Sequence, residues 1–338
     1  MKISNKFSIN AVILIMLLAG CGTSSTTAKK DIDLRVGAEG LKIEFLKNTP
    51  PAKIFEESVF PVIVKVKNNG AYSIKDNEAA VLSLGVEKDY TKKVSLLAAG
   101  RVQSFDKGNA ALFKLEGKTK INPKGEEQVI SYNVQAGRVD PQSEAHQSNI
   151  ITTVCYPYES VLESSVCIDT DVGNLRPSKK VCQSQDLIFS NGQGAPVAVT
   201  KIETNMLPTL AEGQNELSGK ISPQFLVFVE NRGQGTVIRK ESVTEFCTKS
   251  ETSHANLNIV YADVYLAGQK LGCQLEAKQG VNEPAHIKLL DKKDIIRCVF
   301  KEGIEVSRDT YLSPLKVVLK YGYTQSISAN YFIQKTAR

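Results

Sequence analysis

Short segments in which apolar and polar residues alternate run through most of this 338-residue chain. Phe60, Val62, Val64 and Val66 alternate with Lys65 and Lys67, and similar segments lie at 41–45, 129–134, 150–158, 225–229, 257–265 and 314–323. Alternation with a period of two residues is typical of strands that bury one face. Turn clusters such as Pro123-Lys124-Gly125 separate the segments, and no long stretch has helical periodicity. The sequence therefore predicts an all-β fold.

Two pairs of segments repeat at nearly constant spacing. F-P-V-I-V-K-V-K-N-N-G at 60–70 resembles Q-F-L-V-F-V-E-N-R-G at 224–233, and residues 153–168 resemble residues 318–333. In the second pair, Tyr156 and Tyr158 match Tyr321 and Tyr323. Internal repeats of this kind indicate repeated structural units. We infer two tandem β-sandwich domains, at 33–170 and 195–338, each closing with a hairpin. Residues 171–194 would connect them and could add a strand at 186–190.

The N-terminus has the order of a secretory signal peptide, which predicts an extracytoplasmic protein. Lys2 and Lys6 precede an apolar run from Ala11 to Ala19, which is too short to span a bilayer. The tetrad Leu18-Ala19-Gly20-Cys21 resembles the lipobox of prokaryotic lipoproteins. The resemblance implies that residues 1–20 are removed, that a lipid on Cys21 anchors the mature chain to the cell membrane, and that residues 21–32 form a tether. The alternative is an ordinary cysteine in a cleaved signal peptide or an uncleaved anchor.

The six other cysteines favour disulfides, because their number is even and the predicted compartment is oxidising. Metal binding and free thiols are the alternatives, but the close Cys-x-x-Cys pairs that zinc sites usually have are missing. Six cysteines allow fifteen connectivities. In a hairpin centred on Val161, two cysteines would face each other across the strands. We therefore predict the pair Cys155–Cys167. Cys298 lies in a strand-like segment and Cys273 follows Leu271-Gly272, so we favour Cys273–Cys298, which leaves Cys182–Cys247.

Charge and composition argue against nucleic acid as a partner. The formal charge is +6, and loss of residues 1–20 removes Lys2 and Lys6 and no acidic residue, which lowers it to +4. Lysines and acidic residues are interspersed, which is typical of a solvated surface rather than a basic patch. The sequence predicts no cofactor and no metal.

No catalytic group of residues stands out, and we expect a protein that is not an enzyme. His146, His254 and His286 each lie in a polar stretch and are interpreted as surface residues. The Gly-Gln-Gly triplets at 192–194 and 233–235 are interpreted as turns, because strand-like sequence follows them. Asp169 and Asp171 are a weak calcium candidate, since a calcium site needs six to eight oxygens.

The alternating tyrosine pairs Tyr156/Tyr158 and Tyr321/Tyr323 have two interpretations. Exposed aromatic side chains form platforms for sugars, whereas buried ones would anchor the two strands at a domain seam. We favour the buried interpretation.

The strands followed by Asn-x-Gly turns resemble the immunoglobulin-like domains of adhesion-related proteins on prokaryotic surfaces, including CARDB-like domains. The Cys-Tyr-x-Tyr segment, the Gly-Gln-Gly-Ala-Pro connector and the Tyr-Gly-Tyr strand also resemble surface lipoproteins of small-genome archaea. The resemblance implies an immunoglobulin-like fold and a surface location. We expect a structural, adhesion or protein-binding role with another surface or envelope protein as partner. A solute- or carbohydrate-binding lipoprotein and, less favoured, a glycan-active enzyme are the alternatives.

Overall fold

The computed structural model describes residues 34–336 except 76–77, 98–99, 178, 211–216, 250–252 and 276–285. The predicted signal peptide (1–20), Cys21 and the tether (21–32) lie outside the described residues. Contacts between Cα atoms place Leu34–Arg338 in one compact unit. Within the described ranges, no helix is both long and apolar enough to cross a membrane.

Strands dominate the described residues, which confirms the all-β prediction. They are β1 (Leu41–Phe45), β2 (Lys53–Phe55), β3 (Val59–Asn68), β4 (Ala80–Val86), β5 (Thr91–Leu97), β6 (Gln103–Phe105), β7 (Ala110–Phe113), β8 (Glu127–Ala136), β9 (Ala145–Ile168), β10 (Leu187–Ile188), β11 (Val197–Leu210), β12 (Leu217–Asn231), β13 (Thr236–Ile238), β14 (Ile259–Leu266), β15 (Gln269–Lys270), β16 (Gly272–Gln274), β17 (His286–Lys288), β18 (Lys293–Val299), β19 (Ile304–Glu305) and β20 (Tyr311–Gln334). One short α-helix, α1 (Val243–Thr248), and four single 3₁₀ turns at 88–90, 106–108, 240–242 and 254–256 complete the described elements.

The strands form three sheets. The first sheet has the order β1-β3-β8-β5, and the second has the order β10-β11-β12-β18-β16 with β19 beside β12. A shared sheet has the order β15-β14-β20-β9-β4-β7-β6, with β13 and β2 pairing with β20 and β17 pairing with β14. Each predicted half of the chain thus contributes one small sheet of its own and one part of the shared sheet.

The centre of the shared sheet is the pairing of β9 with β20. These two 24-residue strands run antiparallel and stay in register from Tyr311 opposite Ile168 to Gln334 opposite Ala145. The predicted hairpins are therefore wrong. Residues 159–165 contain no glycine, proline or asparagine, and they continue β9 because β20 supplies hydrogen-bond partners along its whole length.

Both predicted halves belong to one compact unit, in which the pairing of β9 with β20 joins them. The connector contributes β10, which lies within residues 186–190, where the sequence predicted a possible strand. β10 pairs with β11.

The repeat and the register together define a local twofold axis. Tyr156 lies opposite Tyr323, Tyr158 lies opposite Tyr321, and Pro157 lies opposite Gly322. In the repeat, Tyr158 matches Tyr323 and Tyr156 matches Tyr321. Each tyrosine of β9 therefore lies opposite the match of the other tyrosine of β9. A twofold rotation about the Pro157–Gly322 pair therefore exchanges the two strands and places matching residues on each other. The interface of a symmetric dimer has the same arrangement.

The core explains why these segments form strands. The inward positions of β3 and β12 are occupied by apolar residues that are almost completely buried, including Val62, Val64, Val66, Val227 and Val229. Burial of such a side chain stabilises the fold by about 1.5–3 kcal/mol relative to full exposure. The period-two pattern of the sequence is thus the pattern of the buried faces.

Candidate functional site

Four tyrosines lie side by side at the twofold axis and are called the tyrosine seam: Tyr156, Tyr158, Tyr321 and Tyr323. They are at most 2% exposed, which supports the buried interpretation and removes the sugar-platform interpretation. Their ring centroids are 5.5 to 6.4 Å apart along and across the two strands. Tilted and edge-to-face contacts at such distances are favourable between aromatic rings. The tyrosine seam therefore joins the two halves through packing.

The repeated Asn-x-Gly turns are held to the seam by equivalent hydrogen bonds. The Tyr158 hydroxyl donates to Asn68 Oδ1 at 3.0 Å, and the Tyr323 hydroxyl donates to Asn231 Oδ1 at 3.2 Å. The same two oxygens accept from the backbone N–H two residues further on, both at 3.1 Å. Burial raises the pKa of Tyr323 to about 12, and burial also raises the pKa of the other three seam tyrosines. The seam hydroxyls are therefore neutral at physiological pH.

The other two seam tyrosines hold the first residues of two equivalent strands. Leu41 N–H, at the start of β1, donates to the Tyr156 hydroxyl at 3.1 Å, and Val197 N–H, at the start of β11, donates to the Tyr321 hydroxyl at 3.1 Å. Side chains on the long strands bind the matching carbonyls: Gln325 donates to Leu41 O, and Ser160 donates to Val197 O. β1 and β11 are thus structural equivalents around the twofold axis.

The outer edge of β11 is covered by the connector. β10 pairs with Lys201 and Ile202, and Phe189 N–H donates to Thr200 O at 2.8 Å. The Gln193 side chain accepts from Val199 N–H at 2.8 Å and donates to Val199 O at 3.1 Å. Every outward polar group of Val199 therefore has a partner within the chain.

Beyond Leu41, no described residue donates to or accepts from the outer edge of β1. β1 ends its sheet in the described part of the chain and pairs only with β3. Leu46 N–H donates to Ile63 O of β3, so by the alternation of antiparallel pairs Ile43 and Phe45 direct their N–H and C=O groups away from β3. Among the described residues, those outward groups of Ile43 and Phe45 have no hydrogen-bond partner.

A groove runs beside this edge and is called the β1 groove. It consists of adjoining hollows of about 550 and 390 Å³ that share Lys42, Gln234 and Gln325. One wall is the segment 37–43, and the other is formed by residues 232–236 and 324–327. Lys42 and Arg232 are its cationic lining residues, and Glu39 is the carboxylate; the Glu39 carboxylate accepts from Asn69 at 2.8 Å. The groove thus offers backbone polar groups and a modest positive charge.

A separate hollow of about 420 Å³ is lined in part by Cys273, which forms a disulfide with Cys298. Glu241 and Asp263 are its two lining carboxylates, and the Asp263 carboxylate lies 2.5 Å from Lys270 Nζ and 3.4 Å from Lys320 Nζ. Burial opposes the charged form, but the two lysines keep the pKa of Asp263 below its usual value. The hollow therefore presents ammonium groups around an ionised carboxylate.

All six predicted disulfide cysteines are in disulfides, and Cys273–Cys298 is confirmed. The other two predicted pairs are wrong, because the structure pairs Cys155 with Cys247 and Cys167 with Cys182. Cys155 and Cys167 lie on the same continuous strand, twelve residues apart, so no turn brings them together. Instead, Cys247 approaches β9 from helix α1, and Cys182 ties the connector to the end of β9.

The remaining sequence candidates are dispersed. His146 stacks on Tyr90 with ring centroids 3.5 Å apart, and His254 is exposed. The surface interpretation is wrong for His286, which is 6% exposed because it pairs with Tyr261 across β14 and β17. The described residues contain no group of three or more His, Cys, Asp or Glu side chains that could hold a metal.

Asp169 and Asp171 are engaged by protein donors rather than arranged around an ion site. The Asp169 carboxylate binds Lys180 Nζ at 2.7 Å and accepts from Asp171 N–H at 3.0 Å. The Asp171 carboxylate accepts from Leu175 N–H at 2.9 Å. The Gly-Gln-Gly triplets lie in turns, as predicted. Sequence reasoning missed that Gln193 hydrogen-bonds to the β11 edge, and the only sequence feature that could have indicated it is the position of Gln193 between two turn glycines.

No family model matches the sequence, and no curated protein matches it. Several solved structures are similar in part. AvmM, which catalyses macrocyclization in alchivemycin A biosynthesis, is 13% identical with a TM-score of 0.20, over 34% of this chain and 72% of its own. The C-terminal domain of the AgI/II polypeptide BspA from Streptococcus agalactiae is 9% identical with a TM-score of 0.22, over 88% and 98%. The Enterococcus faecalis MSCRAMM ACE, which binds its ligands by the collagen Hug model, is 10% identical with a TM-score of 0.18, over 90% and 98%. TM-scores and identities this low carry no inference about function.

Proposed function

We propose that this chain is an extracytoplasmic protein, attached to the cell membrane by a lipid on Cys21, that binds another surface or envelope protein without catalysing a reaction. The observation that carries the proposal is the set of three disulfides, which close sequence separations of 92, 15 and 25 residues. Disulfides form and persist in oxidising compartments outside the cytosol. The signal-like N-terminus predicted from the sequence is consistent with that location.

The compact all-β unit supports the binding part of the proposal. Two of the disulfides fasten β9, the central strand of the shared sheet, to α1 and to the connector. A surface held in this way is preorganised, so this chain loses little conformational entropy when a partner binds to it. Such a unit suits a protein that presents one fixed surface.

The location is tested by metabolic labelling of native cells with a radioactive lipid precursor, comparing the wild type with Cys21→Ser and with the control Ser24→Ala. We expect labelled, membrane-bound protein that external protease reaches for the wild type and the control. We expect unlabelled, released protein for Cys21→Ser. Unlabelled wild-type protein with six reduced thiols would contradict the proposal.

The binding part is tested by crosslinking on intact cells that carry the full-length protein. We expect one surface or envelope protein to be recovered from oxidised cells and lost after mild reduction of the disulfides. Recovery of no such protein from oxidised cells would contradict a binding role.

A second candidate function, binding of a small solute or carbohydrate, is favoured by the hollow around Asp263. Its carboxylate and ammonium groups can accept from hydroxyls and bind acidic groups. Calorimetric titration with neutral and acidic sugars tests it. Binding heat that disappears in Asp263→Asn would support this function, and the absence of heat with the wild type would reject it.

A further inference from the structure

Two edges that are equivalent by the twofold axis have different surroundings in the described structure. The first residues of β1 and β11 are held by the same kinds of bond, from Tyr156 and Gln325 on one side and from Tyr321 and Ser160 on the other. Two residues further along each strand stand Ile43 and Val199. These residues are therefore equivalent, and what binds Val199 shows what the edge at Ile43 can bind.

The cover of the β11 edge is an extended piece of this chain. The amide group of Gln193 binds both outward polar groups of Val199, and the main chain of β10 continues the contact at Lys201 and Ile202. Every one of these bonds is made by an amide, from a main chain or a side chain. The chemistry suited to this edge is therefore that of an extended peptide.

The β1 edge has the same polar groups and, within the described residues, no such cover. The β1 groove lies beside it where β10 and Gln193 lie beside β11. An exposed strand edge is a template for another strand, because its N–H and C=O groups are at the spacing of a β-ladder. Considering only the residues that the structure describes, the β1 groove is therefore open where its equivalent beside β11 is filled.

We propose that the β1 groove binds an extended segment of a partner protein, which adds a strand to the edge at Ile43 and Phe45. The segment carries an acidic side chain, because two cations, Lys42 and Arg232, line the groove against one carboxylate, that of Glu39. The covered edge has the same feature: Asp186, next to β10, binds Lys201 at 2.9 Å. This inference rests on the proposed function, since it assigns the surface that the partner meets.

The probe is a synthetic peptide with the sequence of residues 185–191, Q-D-L-I-F-S-N, because this segment covers the equivalent edge. It is titrated into the oxidised full-length protein while amide-resolved hydrogen exchange is followed by NMR. We expect saturable binding that slows exchange of the Ile43 and Phe45 amides. A matched peptide with Phe189→Pro lacks the N–H that donates to Thr200 O in the chain, and we expect it to bind at least about fivefold more weakly.

Charge reversals on the protein give a second test. Lys42→Glu and Arg232→Glu should each weaken peptide binding about threefold to fivefold at low salt, as expected for exposed ion pairs. Lys124→Glu, an exposed lysine on another turn, should leave binding unchanged.

Several results would overturn the assignment. These are no saturable binding up to ~5 mM, slower exchange at the β11 edge alone, or charge reversals without effect. Concentration-dependent protection of the same amides without peptide would assign the groove to a second copy of this chain and also overturn it. If lipid labelling and partner crosslinking persist while the β1 edge fails these tests, the site is rejected and the proposed function stands.

Discussion

Replacement of Asn68 by alanine should show how much the Asn-x-Gly turn contributes to the stability of the tyrosine seam. Asn68 is completely buried and makes four hydrogen bonds: its Nδ2 donates to Tyr72 O at 2.8 Å and Leu115 O at 3.3 Å, and its Oδ1 accepts from Gly70 N–H and the Tyr158 hydroxyl. At about 1 kcal/mol net for each bond, Asn68→Ala should lower the free energy of unfolding by about 4 kcal/mol. Asn231, the equivalent residue, makes three such bonds, so Asn231→Ala should cost about 3 kcal/mol.

Urea unfolding of the oxidised protein, followed by tyrosine circular dichroism, measures both losses. A double-mutant cycle isolates the single bond: Asn68→Ala combined with Tyr158→Phe should show a coupling of about 1 kcal/mol. Asn68→Ala combined with Tyr323→Phe is the control, because Tyr323 bonds to Asn231 and shares no hydrogen-bond partner with Asn68. The reasoning would be refuted by a loss under about 1 kcal/mol for Asn68→Ala, or by equal coupling in the two cycles.

Three further predictions follow from the same structure. Gly70→Ala would place a Cβ 1.9 Å from the Tyr158 hydroxyl oxygen and should cost about 3 kcal/mol in urea unfolding, whereas Gly219→Ala, at φ +70° with nothing within 4 Å, should cost only about 1 kcal/mol. The folded-state pKa of Tyr323 is raised to about 12, so the contribution of this hydroxyl to stability should be constant below about pH 10, the ordinary tyrosine pKa, and be lost as the pH rises through 12; a urea midpoint at about pH 11 that equals the one at about pH 9 would contradict this. Loop-closure entropy predicts that loss of a disulfide, by paired Cys→Ser changes, costs about 4.6, 3.5 and 3 kcal/mol for separations of 92, 25 and 15 residues; unfolding of the three double variants checks that order, and a reversed order would refute it.

The buried faces of the strands could be read from the sequence because they depend on local alternation. Val62, Val64 and Val66 point inward wherever the partner sheet comes from, and the tyrosine pairs of the repeat mark the position of the seam. The Cys273–Cys298 pair could also be predicted, because Cys298 stands in a strand-like segment and Cys273 follows Leu271-Gly272. The structure places the two cysteines opposite each other.

The pairing of β9 with β20 could not be read in the same way, because it joins residues 143 to 189 positions apart, from Ile168–Tyr311 to Ala145–Gln334. Residues 159–165 are compatible with a strand or with a loose turn. Pairing with β20 makes these residues a strand. The prediction of a turn there led to the wrong pairing of Cys155 with Cys167. The candidate site depends on the same long-range information, since only the structure shows that the connector covers β11 and leaves β1 without a described partner.

The β1 edge also has features that limit what can pair with it. β1 has only five residues, and the side chains on the face opposite the buried Leu41 and Ile43 are the charged Lys42 and Glu44. Glu44 forms an ion pair with Lys65 of β3. Short edge strands with charged side chains resist indiscriminate strand pairing. The groove adds a second condition, because a pairing strand must also fit between segment 37–43 and residues 324–327. A strand that pairs with β1 must therefore tolerate its charged side chains and fit into the groove. These two conditions favour a particular strand over a random one. This selectivity is what separates a binding site from an aggregation-prone edge, and it is why the Lys42 and Arg232 charge reversals are decisive.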